Sequence, residues 1–516
     1  MLPSPSGLRR LLLGAAAAFG LPLWATEAAA QEGCSYADDG NNELLSQALP
    51  GGGQVTYIKN PHFLCEDGVQ IWADSAVAYS AQGMSQLIGS VRYRDQAREL
   101  RADQARYFSD VGRLQAQGHV HVTNEDGSVI ENGDLVYLRE TDRREVEDMT
   151  VTTGRDGLRP RALVRPAPSD SAAVDAEPPS PYTVVADRIV LRGAGYFNAT
   201  GTVEIERDSL FAFADSAEYE EASDGLILVG SARVESASYD LVGRTITLGT
   251  SEGGTTEIRA LRDAVLTGED LSLTAPQIVL HVADGSVERL VAVPLAELGD
   301  INSADVDSAD TARPVANAQG FELTADSLEL TAPAEVVERI VAAGQARSVS
   351  HARDSLNVED LPEIARFDWL EGDTIVVTLR PVSDSAQVAA DSTAGGNYEV
   401  ERIVARVGAR SLYRMPPEDS TAVVGVDAPA LHYVMGDEIT IVMNQGEVEV
   451  MEVVGQTRGV HLEPLRPGGS PRDTLVAASD TAAVTMNDVR RPARIPTTPL
   501  PAGTAPARGA KPWTRP

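Results

Sequence analysis

The sequence is poor in cysteine, in aromatic residues and in long apolar runs. It has two cysteines in 516 residues, and aromatic residues make up 5% of the chain. Beyond residue 30, no apolar stretch approaches the about 20 residues with which a helix spans a membrane. Basic residues are also scarce, 43 against 76 acidic ones, and the resulting net charge of −33 argues against nucleic acid as a partner. No segment shows a sustained helical stripe, so we expect the apolar residues to lie in strands.

A short phrase recurs along the chain: an apolar residue, a spacer, a small residue and an aspartate, followed by alternating apolar positions. Such self-similarity at about 30 residues is typical of a stack of similar supersecondary units. The aspartates could be imagined as carboxylate pairs for glycoside cleavage, but a residue needed once per unit is better explained as a turn cap. We therefore predict a structural turn role for Asp74, Asp103, Asp134, Asp187, Asp215, Asp326, Asp373 and Asp437.

A second phrase, Val-Glu-Arg followed by apolar residues, appears at 287–289, 337–339 and 400–402. The spacing from Asp326 to Val337 equals the spacing from Asp437 to Val448. A glycine and another strand-like run follow, so one unit reads as strand, turn, strand, glycine turn, strand. About ten such degenerate units predict an all-β repeat fold.

The first 30 residues have the features of a cleavable signal peptide. Arg9 and Arg10 precede an apolar core at 11–24, and three alanines end at Ala30. We therefore expect export to the periplasm, with or without association to the inner or outer membrane; an uncleaved membrane anchor is the alternative. In an oxidising compartment, Cys34 and Cys65 favour a disulfide over a metal or catalytic site, with two free thiols as the alternative.

Two proline-rich or small-residue stretches, 165–182 and 301–319, interrupt the strand pattern and predict a linker or surface loops. They divide the body into 35–164, 183–300 and 320–465, although one continuous solenoid with loops fits the pattern equally well. The stretch 382–397 is interpreted as a loop inserted into a regular unit. The Pro/Ala/Thr-rich tail, 466–516, lacks alternation and bulky apolar residues, so we expect it to be disordered.

The search for catalytic or metal-binding residues yields little. His119 and His121 are one residue apart on a predicted strand and would share a face, but a third ligand is not near them in the sequence. Three glycines at 51–53 are not followed by the lysine and hydroxyl residue of a phosphate loop. We therefore expect no enzyme activity, no catalytic residues, no metal and no cofactor.

The stretch from Gly53 to Tyr137 resembles the OstA-like repeat of the periplasmic lipopolysaccharide-transport proteins, the LptA family, and the amino-terminal domain of the outer-membrane LptD translocon. The later units resemble degenerate copies of the same repeat. The resemblance implies an elongated, open V-shaped β-jellyroll, or β-taco, whose two sheets enclose an apolar groove. The matching stretches are Tyr57-Ile58-Lys59-Asn60-Pro61, Leu87-Ile88-Gly89-Ser90-Val91, Gly112-Arg113-Leu114-Gln115-Ala116-Gln117-Gly118-His119-Val120 and Asp126-Gly127-Ser128.

The resemblance also implies a function: a periplasmic bridge that shields the acyl chains of lipopolysaccharide, or a similar glycolipid, on the way to the outer membrane. Its expected protein partners are other Lpt components or further copies of itself, joined by edge-strand stacking. The alternative is a non-catalytic β-solenoid scaffold or adhesin at the cell envelope. One parity of each strand would line the groove, and the candidates are Ile71, Val91, Tyr93, Val120, Val122, Ile130, Leu135, Tyr137, Val203 and Ile205.

Overall fold

The structure is a computed structural model. It describes residues 34–464 apart from 38–39, 41–42, 66–67, 141–147, 166–179, 194, 224, 251–254, 269–270, 284, 296–311, 319, 334–335, 352, 360, 382–397, 417–422, 425 and 445–446. The predicted signal peptide, the inserted loop at 382–397 and the tail at 466–516 therefore lie outside the described residues. So do most residues of the stretches 165–182 and 301–319.

The described chain is built almost entirely of antiparallel strands, so the predicted all-β class is confirmed. Only short 3₁₀ turns interrupt the strands, and the described residues include no helix of the length and hydropathy needed to span a membrane. The chain divides into two compact units, residues 1–312 and 313–516. The first unit includes both of the predicted segments 35–164 and 183–300.

The strands of the first unit are numbered in chain order. They are β1 Cys34–Tyr36, β2 Glu43–Ala48, β3 Gln54–Lys59, β4 His62–Cys65, β5 Gln70–Trp72, β6 Ser75–Tyr79, β7 Met84–Arg94, β8 Arg98–Phe108, β9 Arg113–Gln117, β10 His121–Asn124, β11 Val129–Glu131, β12 Asp134–Leu138, β13 Met149–Thr153, β14 Arg161–Val164, β15 Tyr182–Val185, β16 Arg188–Arg192, β17 Tyr196–Arg207, β18 Leu210–Glu220, β19 Gly225–Glu235, β20 Tyr239–Thr250, β21 Thr256–Gly268, β22 Leu271–Ala283 and β23 Ser286–Val293.

The strands of the second unit are more often long. They are β24 Val315–Ala318, β25 Phe321–Thr324, β26 Ser327–Thr331, β27 Arg339–Ser350, β28 Asp368–Pro381, β29 Tyr398–Met415, β30 Ala430–Asn444, β31 Glu447–Val454 and β32 Arg458–Leu462. Between β27 and β28, two 3₁₀ turns at Asp354–Leu356 and Glu363–Ala365 form a covering segment, which we define as residues 351–367.

Strand pairing in the first unit forms two ladders. The A ladder contains β2, β3, β6, β9, β12, β13, β16 and β23, and the B ladder contains β1, β4, β5, β10, β11, β14 and β15. The long strands β7, β8 and β17 to β22 belong to both ladders, because a register break in the middle of each pairing passes the chain from one ladder to the other.

Glycines with positive φ mark several of these crossings. Gly89, Gly118, Gly201 and Gly230 have φ between 74° and 81°, a conformation that costs a side chain energy, and the residue after each glycine also has positive φ. The aspartate of the repeated phrase on the preceding strand or strand start lies against the glycine, too close for a Cβ atom to fit between them. The observed pairs are Asp74–Gly89, Asp103–Gly118, Asp187–Gly201, Asp215–Gly230 and, in the second unit, Asp326–Gly344.

Backbone hydrogen bonds strengthen the same crossings. The Asp74 amide donates to the Gly89 carbonyl at 2.9 Å, and the Asp103 amide donates to the Gly118 carbonyl at 2.8 Å. The other predicted turn aspartates lie in related places. Asp437 packs against Gly455, Asp373 lies within the register break of β28, and Asp134 begins β12 and pairs with Arg155.

Inward-facing side chains fill the space between the two ladders of the first unit. Alanines such as Ala102 and Ala105 flank the crossing of β8, where the ladders meet and little space is left. Aromatic rings lie farther from the crossings: the Tyr93 ring of the B ladder is 6.2 Å from Tyr107 and 6.0 Å from Tyr137, both in the A ladder. These contacts show that the two ladders face each other across an apolar interior.

The second unit has an additional layer on one outer face. Leu361 and Ala365 of the covering segment pack on Trp369 and Leu412 of neighbouring strands. At the edge of this cluster, the fully buried Arg414 guanidinium lies 2.8 Å from the Asp368 carboxylate. The covering segment thus gives the second unit a small second core outside its ladders.

Candidate functional site

A cleft of about 270 Å³ opens in the first unit between the ends of the A ladder and the B ladder. We call it the mouth cleft. Its position follows from the hairpins, because the β17–β18 and β19–β20 turns end the B ladder there, whereas the β20–β21 connection ends the A ladder. Apolar side chains make up much of its wall. They are Ile205, Leu210, Leu226, Leu248, Ile258 and Val282, with the rings of Tyr182 and Tyr239.

One edge of the mouth cleft carries an aromatic ring and two side chains of opposite charge. The Tyr182 ring lies 5.1 Å from Tyr219 and 6.1 Å from Phe197, so it forms the end of an aromatic cluster that crosses between the ladders. The Arg207 guanidinium lies 4.5 Å from the centre of the Tyr182 ring and donates a hydrogen bond to its hydroxyl. Among the described residues, no carboxylate forms an ion pair with Arg207. Asp208, the next residue, also lines the cleft.

Tyr239 of the mouth cleft provides a pH-dependent test of the fold. Burial raises its pKa to about 12, against about 10 in an unfolded chain, so folding favours the neutral phenol. The contribution of Tyr239 to the unfolding free energy is therefore fully present below pH 10. It falls by about 2–3 kcal/mol as the pH rises towards 12, because the phenol ionises more readily in the unfolded chain. We expect Tyr239→Phe to flatten the fall in unfolding free energy, measured by urea titration between pH 9 and 11.5. An unchanged slope, with exposed Tyr57→Phe as the control, would contradict the buried assignment.

Nearer the amino terminus, a polar network closes the gap between the same two ladders. The hydroxyl of Tyr137, in the A ladder, donates to Asp148 at 2.9 Å and lies 3.2 Å from Asp95 of the β7–β8 hairpin. Arg98 in β8 bonds Asp148 at 2.8 Å and lies 3.9 Å above the Tyr137 ring, and Tyr93 also bonds Asp95. Burial raises the pKa of both tyrosines far above the ordinary value, so their hydroxyls remain donors. We call these five residues the Tyr137 network.

All ten predicted groove residues are buried, none more than 3% exposed. Tyr93 and Tyr137 belong to the Tyr137 network, and Ile205 also lines the mouth cleft. The other candidates pack into an interior that is closed to solvent in this part of the unit. The sequence predictions did not include Tyr182, Tyr239 or Leu248, although the period-two alternation around each of them carried the same signal.

The two histidines considered as metal ligands contact different carboxylates. His119 bonds the Asp103 carboxylate at 2.7 Å, whereas His121 lies 3.4 Å from Glu131. Within the described residues, no group of three or more histidine, cysteine, aspartate or glutamate side chains could hold a metal ion. Cys34 and Cys65 are joined by a disulfide, which ties the short edge strand β1 to β4.

The second unit has a narrower cavity of about 70 Å³ between its own strands. Ser348 and Ser411 form a polar wall, and Ile403, Ile441 and Met443 face them from the opposite side. A cavity of this size holds little more than a few water molecules. The mouth cleft is therefore the larger opening into an apolar interior.

Over the described residues, the fold is built of paired antiparallel strands, and the apolar interior of the first unit reaches solvent at the mouth cleft. Comparison with protein-family models finds no match, and none of the curated proteins compared is significantly similar. The functional assignment therefore rests on the sequence pattern and on the geometry of the cleft.

Proposed function

We propose that this protein is a periplasmic lipid-binding bridge that carries lipopolysaccharide, or a similar glycolipid, towards the outer membrane. The observation that carries the proposal is the apolar interior between the A and B ladders, which opens at the mouth cleft. An acyl chain gains about 0.8 kcal/mol for each CH₂ group moved from water into such an environment. The aliphatic wall of the mouth cleft suits acyl chains, while the polar edge at Arg207 and Asp208 suits a hydrated head group.

The finer architecture is part of the proposal. We infer an elongated V-shaped β-jellyroll of about ten degenerate repeats, with each repeat adding strands to both ladders. Alanines at the crossings and aromatic rings farther away support a wedge that widens from the crossings to the strand ends. The mouth cleft lies at the wide side of this wedge.

Exposed edge strands support assembly with other chains. Every residue of β2 is exposed, including Leu44 at 54% and Leu45 at 69%, and every residue of β32 is exposed as well. Unpaired edges can accept a strand from another protein. We therefore propose stacking with another copy or with other Lpt components.

The proposed location is the periplasm, and the proposed mode of action is binding without catalysis. The signal-peptide features at 1–30 and the Cys34–Cys65 disulfide support an oxidising compartment, the periplasm. The protein would act by binding alone, without enzyme activity, a cofactor or a nucleic-acid partner. The acidic composition suits recognition of the lipid tails better than recognition of phosphate groups.

Site-specific photo-crosslinking tests the proposal. A benzophenone side chain at Leu226 or Leu248, in the mouth cleft, is expected to capture glycolipid in cells, detected by mass analysis of the adduct. The same probe at Ile227, which is 42% exposed and points the other way along β19, is the matched control and should capture none. If no cleft position yields a lipid adduct while the protein remains folded, the proposal is wrong.

One observation favours the alternative, a scaffold or adhesin. The Tyr137 network closes the interior at one part of the first unit, and the inward residues there are shielded from solvent. A protein that only displays a surface needs such a closed core and no lipid. Adducts with envelope proteins from outer-face probes, together with lipid-free cleft probes, would select this alternative.

A further inference from the structure

A second cleft lies on the outer face of the B ladder, on the side opposite the apolar interior. Side chains alternate along β5 and β7, so Ile71 and Tyr93 are buried while Trp72 and Arg92 point outward. The cleft has a volume of about 380 Å³, which falls in the range of about 300–1,000 Å³ common to small-ligand sites. We call it the Trp72 cleft. Its side chains include Trp72, Asp74, Ser90, Arg92, Arg94 and Glu99.

Trp72 is held with one face of its ring covered. The His62 ring stacks on it, with 4.9 Å between the ring centres and 21° between the planes. On the other side of β5, Arg92 stands directly opposite Trp72, so the cleft lies between these two side chains. Among the described residues, none accepts a hydrogen bond from the Trp72 indole nitrogen. The cleft therefore offers a flat apolar surface beside an available donor.

Arg92 is placed at a local electrostatic cost, whereas Arg94 stands opposite the oppositely charged Glu99. Arg92 stands directly opposite Arg101 on β8, and like charges in this cross-strand position destabilise a sheet. Neither Arg92 nor Arg94 forms an ion pair with a carboxylate in the described part of the chain. Arg101 instead bonds Glu99 at 2.9 Å, and this hydrogen bond, with the nearby charges of Arg94 and Arg92, lowers the pKa of Glu99. Glu99 therefore stays ionised as an acceptor.

Donors and acceptors are balanced in the cleft. Arg92, Arg94 and the Trp72 indole can donate, whereas Asp74 and Glu99 accept. Two positive and two negative side chains line the cleft, so an anion bound there would meet Asp74 and Glu99 as well as the two arginines. Sugar hydroxyls both donate and accept hydrogen bonds, so they can use both kinds of group at once.

We propose that the Trp72 cleft binds a neutral saccharide, with the apolar face of a pyranose ring on Trp72 and its hydroxyls bonded to Arg92, Arg94, Asp74 and Glu99. The sugar can belong to a free polysaccharide or to the head of a glycolipid, because the cleft lies outside the acyl-binding interior. The site therefore does not depend on the proposed lipid function.

Calorimetric titration of the full mature chain tests the site with neutral, lipid-free probes: maltohexaose, cellohexaose, chitotetraose and mannotetraose. We expect at least one to bind, and Arg92→Gln/Arg94→Gln to weaken that binding at least about tenfold by removing two charged donors. Trp72→Ala should weaken it by a similar factor. The matched control, Arg188→Gln/Arg402→Gln, changes two exposed arginines elsewhere and should leave the affinity unchanged.

Three results would overturn the saccharide site. The first is that none of the four probes binds at about 10 mM, a concentration at which even a dissociation constant of about 1 mM gives nearly complete binding. The second is equal affinity in Arg92→Gln/Arg94→Gln and in the unchanged protein. The third is displacement of the sugar by an equal concentration of inorganic phosphate, which would identify an anion site. Binding of a soluble probe shows that a free polysaccharide is a sufficient ligand. Lipid capture at Leu226 tests the mouth cleft, which is a different site, so the failure of either test can be told apart from the failure of the other.

Discussion

Asp368→Ala should destabilise the second unit by about 3–5 kcal/mol, because it leaves the fully buried Arg414 guanidinium without its carboxylate. The Asp368 carboxylate accepts hydrogen bonds from the Arg414 side chain at 2.8 Å and from its backbone amide at 2.9 Å. Asn357 and the Arg366 carbonyl accept other Arg414 hydrogens but carry no charge. Urea unfolding of the mature chain in a Trp72→Phe/Trp513→Phe background, followed by the fluorescence of Trp369 beside this pair, measures the loss.

Two further variants separate the buried charge from a general weakening. Glu438→Ala removes the partner of Arg406 in an exposed ion pair and should cost less than about 1 kcal/mol. Asp368→Ala/Arg414→Met removes both charges and should recover much of the loss, since an apolar pair of similar size can replace a buried ion pair. A loss for Asp368→Ala no larger than that for Glu438→Ala would contradict a buried charge at Arg414.

Gly230→Ala should destabilise the first unit by about 2–5 kcal/mol. The left-handed backbone at φ 78° costs about 1–2 kcal/mol, and crowding of the new Cβ against the Asp215 carboxylate adds about 1–3 kcal/mol. Thermal unfolding followed by far-ultraviolet circular dichroism measures the effect.

Gly285→Ala is the matched control for the backbone part. Gly285 has a similar φ of 82°, but a Cβ atom there would meet open space. The unfolding free energy lost in Gly285→Ala should therefore stay near the cost of the left-handed backbone alone. Adding Asp215→Ala to Gly230→Ala should recover only the part of the loss that comes from crowding. Equal losses at the two glycines would mean that the aspartate does not pack on the crossing.

The repeated phrase could be predicted to form turns, but its spatial role could not. The alternation around Val203 and Ile205 predicted strands with one buried face, and both residues are buried. The sequence does not reveal that one strand serves two ladders, because the crossing depends on the φ of Gly201 and on a register shift. The crossing also explains the small residue of the repeated phrase, because an alanine fits where the two ladders meet.

The functional surfaces were harder to predict because they join distant segments. In the Tyr137 network, the Tyr137 hydroxyl contacts Asp95 and Asp148, which lie 42 and 11 positions away from it in the sequence, and a strand pattern does not encode such a meeting. The Trp72 cleft depends on the register between β5 and β7, which sets Trp72 opposite Arg92. The covering segment at 351–367 has no periodicity, so its packing on Trp369 also escaped the sequence pattern.

The glycine crossings have a mechanical consequence. Those at Gly201 and Gly230 lie on β17 and β19, on either side of β18, and the register breaks of these three strands form a line between the two ladders along which the sheet can bend. A small rotation about this line changes the separation of the strand ends without breaking the ladder hydrogen bonds on either side. The side chains that span the gap, such as the Tyr137 network, therefore set the interior width, and loss of the Tyr137 hydroxyl would loosen one end of the first unit selectively.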